Sequence, residues 1–106
     1  ELTDAVLCKA VQEMAAGLID ADLGGSVLKK RVGLAGRGKR GGVRTLVATN
    51  KGNRWFFVFG FEKNERANVS DEALEGLQTI AADLLARTGP QLDEAVADGA
   101  LQEICQ

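Results

Sequence analysis

The chain has 106 residues, the size of one domain with a modest core, and it shows no internal repeat or linker. Hydrophobic residues make up 45% and charged residues 26%, as in an ordinary globular protein, and no apolar run approaches the roughly 20 residues of a membrane-spanning helix. The N-terminal segment lacks the basic and apolar regions of a secretory signal. We therefore expect a cytoplasmic protein that does not associate with membranes.

The charges are strongly separated along the sequence, although the net charge is only −2. Residues 29–66 contain eleven cations and two carboxylates, a balance of +9, whereas the flanking segments together have −11. Because a solvated surface normally mixes its charges, this separation indicates a central segment that faces a polyanion. The central cations are Lys29, Lys30, Arg31, Arg37, Lys39, Arg40, Arg44, Lys51, Arg54, Lys63 and Arg66.

The first predicted element is a helix that begins after Thr3. Threonine can cap a helix N-terminus, and Asp4 is favourably placed at the positive end of the helix dipole. Gly17 suits the left-handed position that follows a helix. Residues at helical spacing predict one buried stripe, which consists of Leu7, Ala10, Val11 and Met14. Residues 20–26 are predicted to form a polar connection.

Three strands are predicted next, at residues 27–32, 43–49 and 55–59. Alternation in the second strand places Arg44 on the face opposite its valine and threonine neighbours. Asn50 and Gly52 tolerate the positive φ of a hairpin turn between the second and third strands. The third strand is apolar on both faces, which predicts a central position. We expect Phe57 to pack under a helix, and Trp55 to lie on the same face but to be more exposed.

Two helices are predicted after the strands. Ser70 caps a long helix over residues 71–87, which has a wide apolar stripe. A second, short helix is predicted for residues 90–98, ending at Gly99. The tail at residues 101–105 is consistent with either a coil or an edge strand. The stripe of the long helix consists of Leu74, Leu77, Ile80, Ala81, Leu84 and Leu85.

The order of elements, α-β-β-β-α-α, predicts an α+β domain. Its small antiparallel meander would pack against the N-terminal helix and the long C-terminal helix. Cys8 and Cys105 fit no metal-ligand spacing, and the sequence contains no histidine. We predict that both cysteines are free, buried hydrophobic residues in a reducing cytoplasm, and we expect neither a metal nor a cofactor.

The stretch GLAGRGKRGG at residues 33–42 contains most of a nucleotide-binding P-loop pattern. A P-loop requires Ser or Thr after its lysine and a helix directly after the loop. Here Arg40 occupies the hydroxyl position, and a β-alternating segment follows. We therefore exclude a nucleotide cradle.

Two interpretations of the glycine stretch remain. It could be a flexible hairpin connection whose cations only keep it in solution. However, Lys29, Lys30 and Arg31 precede the stretch and Arg44 follows it, so a hairpin would bring these cations together against their own repulsion. A nucleic-acid partner that neutralises them explains this clustering better.

Three segments resemble motifs of the RelE/HigB superfamily of bacterial type II toxins, many of which cleave messenger RNA in the ribosome. They are GGVRTLVA, RWFFVFGF and EKNERANVS, at residues 41–48, 54–61 and 62–70. The resemblance extends over nearly the whole chain and is closest to the HigB-like branch. It implies one RelE/HigB-like toxin domain over residues 1–106 with a RelE/ParE-like fold. In that fold the helices pack on one side of the sheet and RNA binds on the other. A further strand comes first in the family fold, and because the sequence begins at the first helix we expect that strand to be missing.

The resemblance also implies site residues. Arg44 matches the arginine that contacts the scissile phosphate, and Lys63 and Arg66 match a basic pair beside the cleft. These three are the predicted catalytic residues. Glu65 could act as a base or pair with Arg66. The predicted RNA-binding residues, taken from the basic strand of the family and from the central cations, are Lys29, Lys30, Arg31, Arg37, Lys39, Arg40 and Arg54.

The function implied by the resemblance is that of a toxin in a type II toxin–antitoxin system. It would act as a metal-independent endoribonuclease on ribosome-associated messenger RNA and would be neutralised by a cognate antitoxin. Some relatives place histidine or tyrosine at the cleavage site, and this sequence contains neither. Cleavage would then depend on lysine, arginine and glutamate. The alternative is a non-catalytic module that binds nucleic acid or a protein partner with the same basic face.

Overall fold

A computed structural model describes residues 3–34, 38–62 and 69–105. These residues form an α+β fold of three helices and a four-stranded sheet, which confirms the predicted fold class. The elements in chain order are α1 (Asp4–Ala15), β1 (Ala21–Gly24), β2 (Val27–Leu34), β3 (Gly38–Thr49), β4 (Trp55–Glu62), α2 (Asp71–Ala86) and α3 (Gly89–Ala97).

The sheet is an antiparallel meander with the spatial order β1-β2-β3-β4. The strand β1 lies where we predicted a polar connection, so that prediction is wrong. This strand is only four residues long and half of its residues are exposed, which leaves too few apolar positions for a pattern. Its pairing instead depends on a tight turn in which Gly24, Gly25 and Ser26 all have positive φ. The Asp22 carboxylate accepts a hydrogen bond from the Gly24 amide, and this bond, together with Lys51, holds the pKa of Asp22 below its usual value.

The helices α1 and α2 contact opposite faces of the sheet. In β2, the Lys30 side chain reaches Glu13 of α1, whereas Val27 belongs to a buried cluster with Ala81 of α2. Residues 27 and 30 point to opposite faces because side chains alternate along a strand. We call these faces the α1 face and the α2 face. The arrangement differs from the one-sided packing that the resemblance implies.

The buried cluster on the α2 face consists of Val27, Leu46, Ala48 and Ala81. Phe56 and Val58 of β4 pack against this cluster. Phe57 pairs with Val47 and therefore lies on the α1 face. The prediction that Phe57 packs under the long helix is wrong, because a strand that is apolar on both faces does not reveal which face the helix covers. Trp55, which pairs with Thr49, is on the same face as Phe57, as predicted.

A β-bulge at Val58 changes the alternation of β4. The register passes from Val47 opposite Phe57 to Leu46 opposite Phe59, so Val58 has no residue directly opposite it on β3. Without the bulge, Phe59 and Phe61 would follow Phe57 onto the α1 face. With it, both phenylalanines lie on the α2 face.

The helix ends follow the sequence signals. The side chains of Thr3, Ser70 and Thr88 accept hydrogen bonds from backbone amides in the first turns of the three helices, and Gly17 and Gly99 have positive φ after α1 and α3. Over the described ranges, no helix is long and apolar enough to cross a bilayer. The predicted stripe of α2 is correct except at one position.

That exception is Ile80, which is 47% exposed, whereas Leu77 packs against the α2-face cluster. We expect Leu77→Ala to lower the free energy of unfolding by about 2 kcal/mol, the low end for a truncated leucine because the side chain is half-buried. Ile80→Ala on the same helix is the matched control and should cost less than about 1 kcal/mol. Urea unfolding of both variants measures the difference, and equal costs would contradict this assignment of the helix face.

A disulfide joins Cys8 of α1 to Cys105 in the C-terminal tail. The prediction of two free, buried cysteines is therefore wrong, and Cys105 is exposed. The spacing of 97 residues gave no signal for pairing, because the two ends meet only once the chain has folded. Residues 101–105 form neither helix nor strand, so the bond fastens an irregular tail to α1.

Candidate nucleic-acid interface

The described parts of the glycine stretch, residues 33–34 and 38–42, belong to two long antiparallel strands. β2 continues to Leu34, which pairs with Gly38 at the start of β3. A strand therefore follows the glycines where a P-loop would have a helix, in agreement with the exclusion of a nucleotide cradle. Gly42 has a specific steric role, because a Cβ atom at this position would overlap the carbonyl oxygen of Val32.

One row of cross-strand neighbours joins two arginines. Arg31 of β2 lies directly opposite Arg44 of β3, and Arg44 lies directly opposite Phe61 of β4. Directly opposite residues share a face, and Arg44 is two positions from Leu46 of the α2-face cluster. The row is therefore on the α2 face, with both arginines half-buried and Phe61 only 3% exposed.

The adjacent row on the same face adds another cation and another ring. Lys29 lies opposite Leu46, and Leu46 lies opposite Phe59. The rings of Phe59 and Phe61 are 5.9 Å apart and tilted by 40°, a favourable aromatic arrangement. We call Lys29, Arg31, Arg44, Phe59 and Phe61 the cationic patch.

The patch places two like charges directly opposite each other, and the described carboxylate beside them, Asp20, accepts a hydrogen bond from the backbone amide of Arg31 rather than from its guanidinium group. Like charges directly opposite each other destabilise an antiparallel pair. Within the residues that the structure describes, no salt bridge joins Arg31 or Arg44 to a carboxylate. An anion bound over this row would relieve the repulsion, and guanidinium groups are well shaped to bind phosphate oxygens in pairs.

Lys30 is separated from the cationic patch by the sheet itself. Its ammonium group forms a 2.9 Å salt bridge with Glu13 and a 3.0 Å hydrogen bond to the Leu18 carbonyl oxygen. The residue is only 4% exposed, so these partners replace water around the charge. Its predicted role in RNA binding stays a prediction, but the observed contacts are structural. Alternation along β2 could have indicated this separation, because Lys30 alternates with Lys29 and Arg31.

Arg54 also lies outside the cationic patch. Its guanidinium group donates hydrogen bonds to the backbone carbonyl oxygens of Leu85, at 3.3 Å, and of Arg87. These carbonyls are at the C-terminus of α2, where a positive charge is favourable. The side chain therefore connects the start of β4 to the end of the helix.

The remaining predicted site residues have no described side chains. Arg37, Lys63 and Arg66, together with Glu65, lie outside the described residues. Lys39 and Arg40 are in β3, and the structure describes their backbone but not their side chains. The sequence did not indicate Phe59 and Phe61 as site residues, because the bulge that places them on the α2 face has no signature within an all-apolar strand.

These features define a class: small α+β domains with an arginine pair on one face of an antiparallel sheet. The family model that matches is the RelE toxin of the RelE/RelB toxin–antitoxin system, over residues 1–104. The chain therefore belongs to the RelE toxin family, the toxin partner of an antitoxin. No match was found among curated proteins or solved structures. The assignment to the HigB-like branch stays a prediction.

Proposed function

We propose that the protein is an endoribonuclease that cleaves messenger RNA at the ribosome and is neutralised by its antitoxin. Family membership supports the toxin role. The observation on which the RNA-cleaving proposal rests is the direct pairing of Arg31 with Arg44 on the α2 face. This pair offers guanidinium groups to a phosphodiester where folding alone would disfavour them.

The proposed reaction uses the 2′-hydroxyl of the RNA. The hydroxyl gives its proton to a base as its oxygen attacks the adjacent phosphorus, the bond from phosphorus to the 5′-oxygen breaks, and the 5′-oxygen accepts a proton from an acid. The products are a 2′,3′-cyclic phosphate and a 5′-hydroxyl. Negative charge increases on the phosphate oxygens in the transition state, and Arg44 stabilises it there, with Arg31 beside it. Lys63 and Arg66 remain proposed catalytic residues for proton transfer and charge stabilisation. The reaction proposed here uses no metal.

A non-catalytic binding module is the second candidate. The sequence observation that favours it is the absence of histidine and tyrosine, two side chains suited to proton transfer near neutral pH. Such a module would use the same cationic patch to hold RNA without cleaving it. The two candidates therefore differ in product formation and share the binding surface.

Growth and cleavage measurements distinguish the two candidates. Expression of the protein without antitoxin should arrest bacterial growth, and purified protein added to translating ribosomes should shorten the bound message. Co-expression of the antitoxin should prevent the growth arrest, and addition of purified antitoxin should protect the ribosome-bound message. Intact message in the presence of parental protein that binds RNA would favour the binding module.

A messenger RNA substrate places the proposed action in the cytoplasm. Cytoplasmic thiol systems keep most cysteines reduced, and the exposed Cys105 is accessible to them. We therefore propose that the protein acts with the bond between Cys8 and Cys105 open or closed. The site is compatible with both states because the bond involves α1, on the face opposite the cationic patch.

RNA binding by the proposed surface should be mainly electrostatic. If about five to eight phosphates are neutralised, the logarithm of the binding constant should fall with the logarithm of salt concentration with a slope of roughly −3.5 to −6. Lys29→Met should make this slope shallower by about 0.7, since one phosphate contact is lost. Lys9→Met, an exposed lysine of α1 that is not among the predicted site residues, is the matched control and should leave the slope unchanged.

Fluorescence anisotropy with a single-stranded oligoribonucleotide at several salt concentrations measures these slopes. Circular dichroism confirms that both variants are folded at the temperature of the titration. Equal changes for the two lysines, or a slope near zero for the parental protein, would contradict the assignment of RNA to the α2 face.

A further inference from the structure

We propose that Phe59 is a stacking platform for a nucleotide base of the bound RNA. The inference rests on the proposed function and adds a positioning residue to it. Among the described residues, Phe59 is one of four large hydrophobic side chains that are exposed, and its exposed fraction is 37%. It lies in the row next to the Arg31–Arg44 pair on the same face.

The position of Phe59 suits one base of a strand whose phosphates contact the arginines. Phe59 is a diagonal neighbour of Arg44 across the β3–β4 pair, and such neighbours are about 7–8 Å apart. Lys29 lies in the same row as Phe59, with Leu46 between them. A backbone held by these cations would therefore bring its bases close to the ring.

Two neighbours fix the orientation of the Phe59 ring, namely the bulge at Val58 and the ring of Phe61. The bulge at Val58 turns Phe59 towards the patch, and Val58 itself packs on the buried cluster of the α2 face. Phe61, which is almost fully buried, contacts the Phe59 ring. A ring fixed in this way loses little conformational entropy when a base stacks on it. Aromatic stacking tolerates any base, because each base has a π-face.

The combination of exposed ring and surrounding cations favours nucleic acid as the occupant. A protein partner that buried Phe59 would have to neutralise Lys29, Arg31 and Arg44 at the same time. A single RNA strand does both, because phosphates and bases alternate along it. Phe59 is thus proposed to select an unpaired strand and to set which phosphate lies over Arg44.

The test compares binding of two oligomers that cannot be cleaved. One is a 2′-O-methyl oligoadenylate of about ten nucleotides, and the other is its abasic counterpart of the same length. The parental protein should bind the oligoadenylate about 5- to 150-fold more tightly than the abasic oligomer, as expected for one stacked base. Phe59→Ala should remove most of this ratio and should leave the salt slope and the abasic affinity unchanged.

Two further variants separate stacking from folding. Phe59→Trp should restore the ratio, and Phe57→Ala, a phenylalanine of the same strand on the α1 face, should retain it. A ratio that survives in Phe59→Ala would overturn the proposal. An equal loss of affinity for both oligomers in that variant would also overturn it, since it would indicate a structural role or a different occupant.

The same measurements distinguish this inference from the nuclease proposal. A base-dependent ratio that disappears with Phe59→Ala supports the stacking site even if the parental protein leaves ribosome-bound message intact. In that case only the cleavage reaction is overturned. Conversely, message cleavage at the parental rate by Phe59→Ala, with the ratio unchanged, would overturn the stacking site and leave the nuclease supported.

Discussion

Replacement of Arg44 by alanine should reduce the rate of RNA cleavage by about 10²–10³-fold. Loss of one well-placed donor to a developing oxyanion typically has this effect. Arg44 is the central member of its row, between Arg31 and Phe61, and its side chain shares the α2 face with the other cations of the patch. Arg44→Lys should recover only part of the rate, because an ammonium group cannot contact two phosphate oxygens in the planar geometry of a guanidinium.

The stability of the Arg44 variants should change little. Removal of Arg44 also removes its repulsion of Arg31, so we expect a change in unfolding free energy of less than about 1 kcal/mol. Arg87→Ala is the matched control: this arginine forms an exposed salt bridge with Asp83, and such surface pairs contribute little to stability. Cleavage of ribosome-bound message under single-turnover conditions measures the rates. An Arg44→Ala protein that cuts at the parental rate would remove Arg44 from the proposed site.

Local sequence signals predicted much of this fold because they depend on near neighbours. Thr3 and Ser70 cap helices as predicted, because their side-chain oxygens accept hydrogen bonds from amides three residues further along the chain. The alternation of residues 43–49 correctly predicted that the side chains of Arg44 and Val43 point to different faces of the sheet. Such features require no knowledge of the tertiary structure. The strand β1 escaped prediction because its stability comes from pairing with β2 rather than from its own four residues.

The site was less predictable because it depends on packing across the sheet. The sequence presents Lys29, Lys30 and Arg31 as one run of cations in β2. Only the tertiary contacts show that Lys30 forms a salt bridge with Glu13 of α1 and a hydrogen bond to the Leu18 carbonyl oxygen. In β4 the apolar residues on both sides conceal the bulge, so the sequence predicted Phe57 rather than Phe56 under α2. The bulge at Val58 places Phe59 and Phe61 in the cationic patch.

Loss of the disulfide should lower the free energy of unfolding by about 2–5 kcal/mol. The bond closes a loop with a sequence separation of 97 residues, and the loop-entropy model predicts more stabilisation for longer loops, so a value near the upper end is expected. Cys8→Ser and reduction of the parental protein should therefore shift the urea midpoint by the same amount. Reductant should have no further effect on Cys8→Ser, which serves as the control for the treatment.

RNA binding by the folded protein should not change when the disulfide is lost. The bond connects α1 to a tail without regular structure, and α1 packs on the face opposite Arg31 and Arg44. Oligonucleotide affinity should thus be the same for oxidised protein, reduced protein and Cys8→Ser. The measurement is made without urea and at a temperature well below the unfolding transition. If protein without the disulfide lost both RNA affinity and stability, the result would contradict this expectation. It would show that the contact between the tail and α1 is needed for the structure of the cationic patch on the other face of the sheet. Unchanged stability after reduction would instead show that α1 and the tail are held together without the bond.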